Sequence, residues 1–147
     1  MYTCILNLLS LSLIMATTIG TQVCKVATIN VRALNNPVQR WNIFQSLQNI
    51  NSDFYCLQET YGKATSVKQW KDEWPGDSYW CPTPRSDSCG VAILLNPNCQ
   101  FEVVQVKNDN DGRVIALHVK SHNTHFQIIN VYAPSKSSEK ISFSLIS

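Results

Sequence analysis

The chain has 147 residues, 44% of them hydrophobic and 15% charged, a balance that supports one domain with a buried core and excludes a disordered chain. Its formal net charge of +2 is too small to identify a nucleic-acid partner, because basic binding domains carry a clustered stripe. Six cysteines, at 4, 24, 56, 81, 89 and 99, include no CxxC pair, which argues against a structural zinc site.

In chain order, residues 1–22 come first as a signal-like or extraneous hydrophobic leader. Met1 to Cys24 contain no Asp, Glu, Lys or Arg, and Ile5–Met15 is an apolar run of signal-peptide length, too short for a stable membrane span. The leader has no basic residue at its start and Asn7, Ser10 and Ser12 interrupt the run, so a buried extra segment and a translated upstream region are the competing readings.

From Val23 the order of elements is that of an α/β protein. Cys24–Val31 reads as a strand. Asn35-Asn36-Pro37 supplies a helix cap with proline in the first turn, and Val38, Trp41, Phe44, Leu47 and Ile50 predict one apolar stripe packed on a sheet. Phe54–Gln58 reads as a second buried strand, parallel to the first. Ser66–Trp74 predicts a short helix with Val67, Trp70 and Trp74 on one face, stopped by Pro75-Gly76. Ser78–Cys81, Gly90–Leu95, Phe101–Lys107, Arg113–Lys120 and Phe126–Tyr132 read as strands separated by turn chemistry, an antiparallel meander. Cys24 and Cys56 lie in strand runs as small hydrophobes. Cys81 and Cys89 flank a turn-rich segment across which they could pair in a secreted protein. No repeat or linker marks a second domain, which leaves one unit over 23–140 and a tail over 141–147.

Three strand ends carry candidate chemistry. Asn30 is a polar amide near the end of an apolar strand, where such residues are disfavoured without a partner. Glu59 follows five residues of buried strand, and burying its carboxylate is costly unless a cation or hydrogen bonds compensate. Tyr132 ends the last strand just before Pro134, with a phenol able to bond a phosphate.

Taken together, TINVRAL, DFYCLQET, SCGVAILL, DGRVIALHV and IINVYAP resemble the opening run of the endonuclease/exonuclease/phosphatase superfamily. Leu-Gln-Glu-Thr and Asn-x-Tyr-Ala-Pro are the most specific pieces. The phrasing from Trp70–Trp74 to Ser88–Leu94 is similar to the N-terminal part of the apurinic-type endonuclease domain of non-LTR retrotransposons, and the resemblance covers about Val23 to Lys140.

The resemblance implies a fold, the N-terminal half of a four-layer DNase I-like α/β sandwich with mixed sheets and helices outside. It also implies a Mg²⁺- or Mn²⁺-dependent phosphodiesterase that nicks DNA, with no small-molecule cofactor. Glu59 would be a metal ligand, Asn30 a polar group at the metal and phosphate site, and Tyr132 a hydrogen-bond donor to the phosphate or transition state. The family's later Gly-Asp-x-Asn and Ser-Asp-His motifs do not follow Tyr132 in these 147 residues. The expectation is therefore a truncated domain without catalytic competence as given, its tail over Glu139–Phe143 resembling the start of the next family helix. His118, His122 and His125 read as solvated or turn residues, and Arg32 is basic where some apurinic endonucleases carry an acid.

Two alternatives stand beside this reading. One is a non-catalytic module binding nucleic acid or protein, with self-association through an exposed sheet. The other is a secreted nuclease relative, if the leader is a working signal. The family resemblance implies a nuclear or cytoplasmic location, and the leader implies secretion.

Overall fold

A computed structural model describes residues 2–6, 13–84 and 89–133. The expected helix start over Glu139–Phe143 and the 141–147 tail lie outside the described residues. The parallel unit at the centre is β3 (Gln22–Asn30), α1 (Pro37–Asn49) and β4 (Phe54–Gln58). β3 and β4 pair in parallel with Asn30 opposite Gln58, so both strands end level. The α1 start matches its sequence signal. Asn36 accepts from the backbone N–H of Val38 and Gln39 at 2.9 and 3.1 Å, with Pro37 next, a cap that contributes about 1 kcal/mol.

The face that α1 buries differs from the stripe read off its spacing. Phe44 and Leu47 are buried, but Val38 is 69% and Trp41 62% exposed, whereas Arg40 is 3% exposed. The reason is that each guanidinium nitrogen of Arg40 finds a partner. Its Nε and Nη2 donate to the Glu73 carboxylate at 2.6 and 2.8 Å and its Nη1 to the Leu34 carbonyl at 2.8 Å, and the guanidinium carbon sits 5.3 Å from the Trp70 ring centroid. A charge supplied with this many partners can be buried, and that turns Val38 and Trp41 outward. Helix α2 (Ala64–Glu73) starts two residues earlier than the sequence indicates and buries Val67 and Trp70, with Trp74 buried just after it.

The expected meander is divided between two sheets. β5 (Ser78–Cys81) and β6 (Val91–Leu95) pair antiparallel and join β4, whereas β7 (Glu102–Asn108), β8 (Val114–Ser121) and β9 (Thr124–Val131) form a separate antiparallel run. Turn residues mark where the chain reverses but not which sheet receives the next strand. Phe101, at the crossing, settles between the sheets against Phe54 and Phe126, with ring centroids 5.7 and 5.4 Å away.

The leader also contributes strands. β2 (Leu13–Ile19) pairs antiparallel with β3, and β1 (Tyr2–Leu6) pairs parallel with β9. The five-stranded sheet therefore runs β2-β3-β4-β6-β5 and the four-stranded sheet β1-β9-β8-β7. The sheets face one another over a core that includes Val26, Phe54, Cys56, Ile93, Leu117 and Ile128. Both described helices cover the outer face of the five-stranded sheet, through Phe44, Leu47, Val67 and Trp70 against Ala27, Tyr55 and Leu94. Among the described residues no helix is long and apolar enough to cross a membrane.

Candidate functional site at three strand ends

The inward-facing side chains of β3 and β4 change from apolar to polar as the strands end. Cys24 and Val26 on β3, and Phe54 and Cys56 on β4, line the inter-sheet core. By strand alternation the next inward positions are Thr28, Asn30 and Gln58. On the opposing sheet Ile128 is followed, two residues apart, by Asn130 and Tyr132. The polar ends of both sheets thus face one another.

Backbone hydrogen bonds hold the segment after β4 from both sides. Val31, Ala33 and Leu34 donate to the carbonyls of Gln58, Glu59 and Thr60 at 3.0, 2.7 and 3.0 Å, and Thr60 and Tyr61 donate to Gly90 and Cys89 at 3.1 Å each. The rungs fix a contorted path. Arg32, Ala33, Glu59, Tyr61 and Cys89 all have positive φ, at 49°, 83°, 55°, 54° and 66°. Non-glycine residues in this region cost roughly 1–3 kcal/mol each and persist where surrounding contacts over-determine them. Gly90, at φ 87°, admits Thr60 to a distance that a Cβ would forbid.

This path presents Glu59. Its half-buried carboxylate accepts from the Tyr61 phenol at 3.2 Å and lies near enough to Tyr132 to act on the ionisation of that phenol. Burial raises the Tyr132 phenol to about 12, and the adjacent Glu59 charge and hydrogen bond add to the effect. Asn30 is half-buried, and its Oδ1 accepts from the Arg32 backbone N–H at 3.1 Å. The exposed Arg32 side chain follows directly. All three residues singled out by sequence therefore lie at one end of the sandwich, with Glu59 and Tyr132 acting on each other and Asn30 at the level end of the neighbouring strand.

The structure adds residues to which sequence reasoning gave no role. Tyr61 is one. The others form a buried amide network. Gln58 Nε2 donates to Asn130 Oδ1 at 2.6 Å and to Thr28 Oγ1 at 2.9 Å, while Asn130 Nδ2 donates to the Leu57 and Ala92 carbonyls at 2.9 Å each. Polar side chains inside FYCLQ and IINV were the available signal, the same one that picked out Asn30. His118 and His125 stand apart from this centre, their ring nitrogens 3.1 Å from each other, and His122 occupies the β8–β9 turn. Cys81 donates its thiol to Asp109 Oδ1 at 3.3 Å, so it is not bridged to Cys89. Burial raises that thiol to about 12.

The donor set suits a hard cation in part. Mg²⁺ keeps several waters and takes one or two protein carboxylates together with substrate phosphates, and Glu59 supplies one carboxylate. Gln58 Oε1 is a buried acceptor with no partner among the described residues, beside Glu59 in sequence, and the water shell of a cation carries donors of the kind it lacks. Among the described residues no group of three or more His, Cys, Asp or Glu side chains is placed to hold a metal ion. The other coordination positions would thus fall to water, neutral oxygens and phosphate.

No protein-family model matches the chain. It is 27% identical over 118 residues to the Transposon TX1 uncharacterized 149 kDa protein of Xenopus laevis, covering 80% of this chain and 9% of that protein. Among solved structures it is similar to the human Nocturnin catalytic domain with bound sulfate anion, at a TM-score of 0.57 and 15% identity over 78% of this chain and 51% of that one. An endonuclease/exonuclease/phosphatase family protein from Bacteroides thetaiotaomicron matches at a TM-score of 0.52 and 19% identity, over 77% of this chain and 51% of the other. The chain thus spans about half the length of these structures and a small part of the transposon protein. It has the endonuclease/exonuclease/phosphatase fold, in its N-terminal half, and resembles a transposon-encoded protein, in line with the strand-end motifs.

Proposed function

We propose that this chain supplies the cation- and phosphate-holding half of a divalent-metal-dependent phosphodiesterase centre acting on DNA, of the kind that nicks target sites for a retrotransposon. The observation that carries this reading is the half-buried Glu59 carboxylate, held by the Tyr61 phenol where three strands end. When bound, Mg²⁺ or Mn²⁺ would polarise the phosphate and neutralise charge developing on its oxygens. Glu59 would hold the cation, with Asn30 offering a neutral oxygen beside it. Once a cation takes over the Glu59 charge, the phenols of Tyr61 and Tyr132 can donate to phosphate oxygens, and the raised Tyr132 phenol keeps its proton for that purpose at neutral pH. The exposed Arg32 suits the flanking backbone phosphates. Hydrolysis also needs a group to activate water on the far side of phosphorus, and the described residues bring none to this end. On this reading the 147 residues by themselves hold cation and DNA without cleaving, in the nucleus or cytoplasm where DNA is met.

The test is anisotropy of a fluorescent double-stranded DNA oligonucleotide titrated with the chain, with Mg²⁺ and with EDTA. Binding strengthened by Mg²⁺, and losing that dependence in Glu59→Ala, is the expected result. Binding equal in Mg²⁺, in EDTA and in the variant overturns the reading.

A second reading, a non-catalytic module that associates through its sheets, draws on β7. This strand ends its sheet with Val104 45% and Val106 39% exposed, and an apolar edge strand is a template for pairing. Concentration-dependent dimerisation removed by Val106→Lys would favour it.

A further inference from the structure

The amide pair Gln58–Asn130 joins the two sheets immediately beneath the candidate site. Gln58 precedes Glu59 by one residue and Asn130 precedes Tyr132 by two. Both amides are buried, and their bond, together with the one from Asn130 Nδ2 to the Leu57 carbonyl, ties the strand that delivers the carboxylate to the strand that delivers the phenol. The orientation of each amide is forced. Asn130 must present nitrogen to the Leu57 and Ala92 carbonyls, so its oxygen faces Gln58, and Gln58 must answer with its own nitrogen, which also reaches Thr28 Oγ1 and the Cys56 carbonyl. Flipping either amide would set oxygen against oxygen.

An apolar pair would fill the same space more simply. Burying two amides is worthwhile where geometry must be unique, because directional hydrogen bonds such as the four made by Gln58 and Asn130 to Thr28, Leu57, Ala92 and each other admit one register whereas apolar side chains slide. The register in question is that between β4 and β9, strands of different sheets that share no backbone rung. The amide link adds directional bonds to the apolar packing that relates Glu59 and Tyr132.

We propose that Gln58 and Asn130 are positioning residues that set the distance and orientation between Glu59 and Tyr132. The functional side of this inference rests on the reading of Glu59 and Tyr132 as one cation and phosphate site. The structural side, their mutual placement, does not.

The test uses the whole chain and the near-isosteric Gln58→Met, with Ile128→Val as a control that loosens the same inter-sheet core without touching the network. Two readouts are taken, Mn²⁺ affinity by calorimetry and the ring NMR signals of Tyr132 at neutral pH, assigned by comparison with the matching Tyr132→Phe protein. Gln58→Met should weaken Mn²⁺ binding about tenfold and shift the Tyr132 ring signals, while Ile128→Val leaves both at parental values. If Gln58→Met does not fold, Thr28→Val, which deletes one bond of the network, should shift both readouts in the same direction by less. Parental Tyr132 ring signals in the network variant, or equal shifts in Ile128→Val, overturn the proposal. If Glu59→Ala leaves Mn²⁺ binding intact while Gln58→Met still moves the Tyr132 ring signals, the cation reading fails and the positioning role stands.

Discussion

The Tyr132 phenol and the Glu59 carboxylate act on each other across the gap between the two sheets, from strand ends more than seventy residues apart in sequence. This interaction makes the phenol a reporter of the carboxylate. Its folded value is raised to about 12 from 10.0, by burial first and then by Glu59. A raised value means that the group's contribution to stability is complete below pH 10.0 and is lost as pH rises through about 12. Removing the Glu59 charge should therefore let Tyr132 ionise at lower pH. Tyrosinate absorbance of the parent and of Glu59→Gln, each referred to its Tyr132→Phe counterpart, checks this, and identical ionisation in the two would contradict it.

The Arg40–Glu73 pair makes a prediction about stability. Arg40 is buried, and Glu73 is its charged partner. Glu73→Gln leaves the guanidinium without a counter-charge and should cost about 2–3 kcal/mol in urea unfolding at neutral pH. Its hydrogen bond to Arg40 holds the Glu73 carboxyl below the ordinary 4.5. The contribution is thus present above pH 4.5 and lost as pH falls through the lowered value. The gap between parent and variant should close in acid. A gap independent of pH would show that the loss comes from packing.

Gly90 tests the strained path that presents Glu59. Gly90→Ala places a Cβ against Thr60 Oγ1 at φ 87° and should destabilise the chain by about 2–3 kcal/mol. Adding Thr60→Ala removes the clash but not the backbone strain, so the double variant should recover part of the loss. Full recovery in denaturant titration would show that the positive φ carries no cost.

The strand β2 concerns the leader. Deleting residues 1–21 removes the strand that pairs along β3 and leaves that edge open. The shortened chain should melt at a lower temperature and sediment as larger species at high concentration. Unchanged melting and sedimentation would show that the leader is extraneous to the fold.

The elements with local signatures were legible in the sequence. Asn36-Pro37 fixed the start of α1, and FYCLQ and VAILL read as strands because every position is apolar or closes an apolar run. Asn30, Glu59 and Tyr132 stood out as polar groups ending apolar strands. What was not legible depends on distant partners. Arg40 reads as a surface residue until Glu73, Leu34 and Trp70 surround it, and only then does Trp41 turn outward. Asn-Pro-Asn between β6 and β7 signals a reversal, yet the crossing between sheets is decided by where Phe101 finds its aromatic neighbours. An uncharged apolar leader looks alike as a signal segment and as an edge strand. The Gln58–Asn130 bond, between residues 72 apart, has no periodic trace.

The proposed role of Glu59 is to hold a divalent cation where three strands converge. The most direct measurement is paramagnetic broadening by Mn²⁺ in the amide NMR spectrum of the whole chain, compared with Glu59→Ala. Broadening centred on Asn30, Glu59, Tyr61 and Tyr132, reversed by Mg²⁺ and missing from the variant, is the predicted result. Broadening centred elsewhere, such as at His118 and His125, or unchanged by Glu59→Ala, would contradict it.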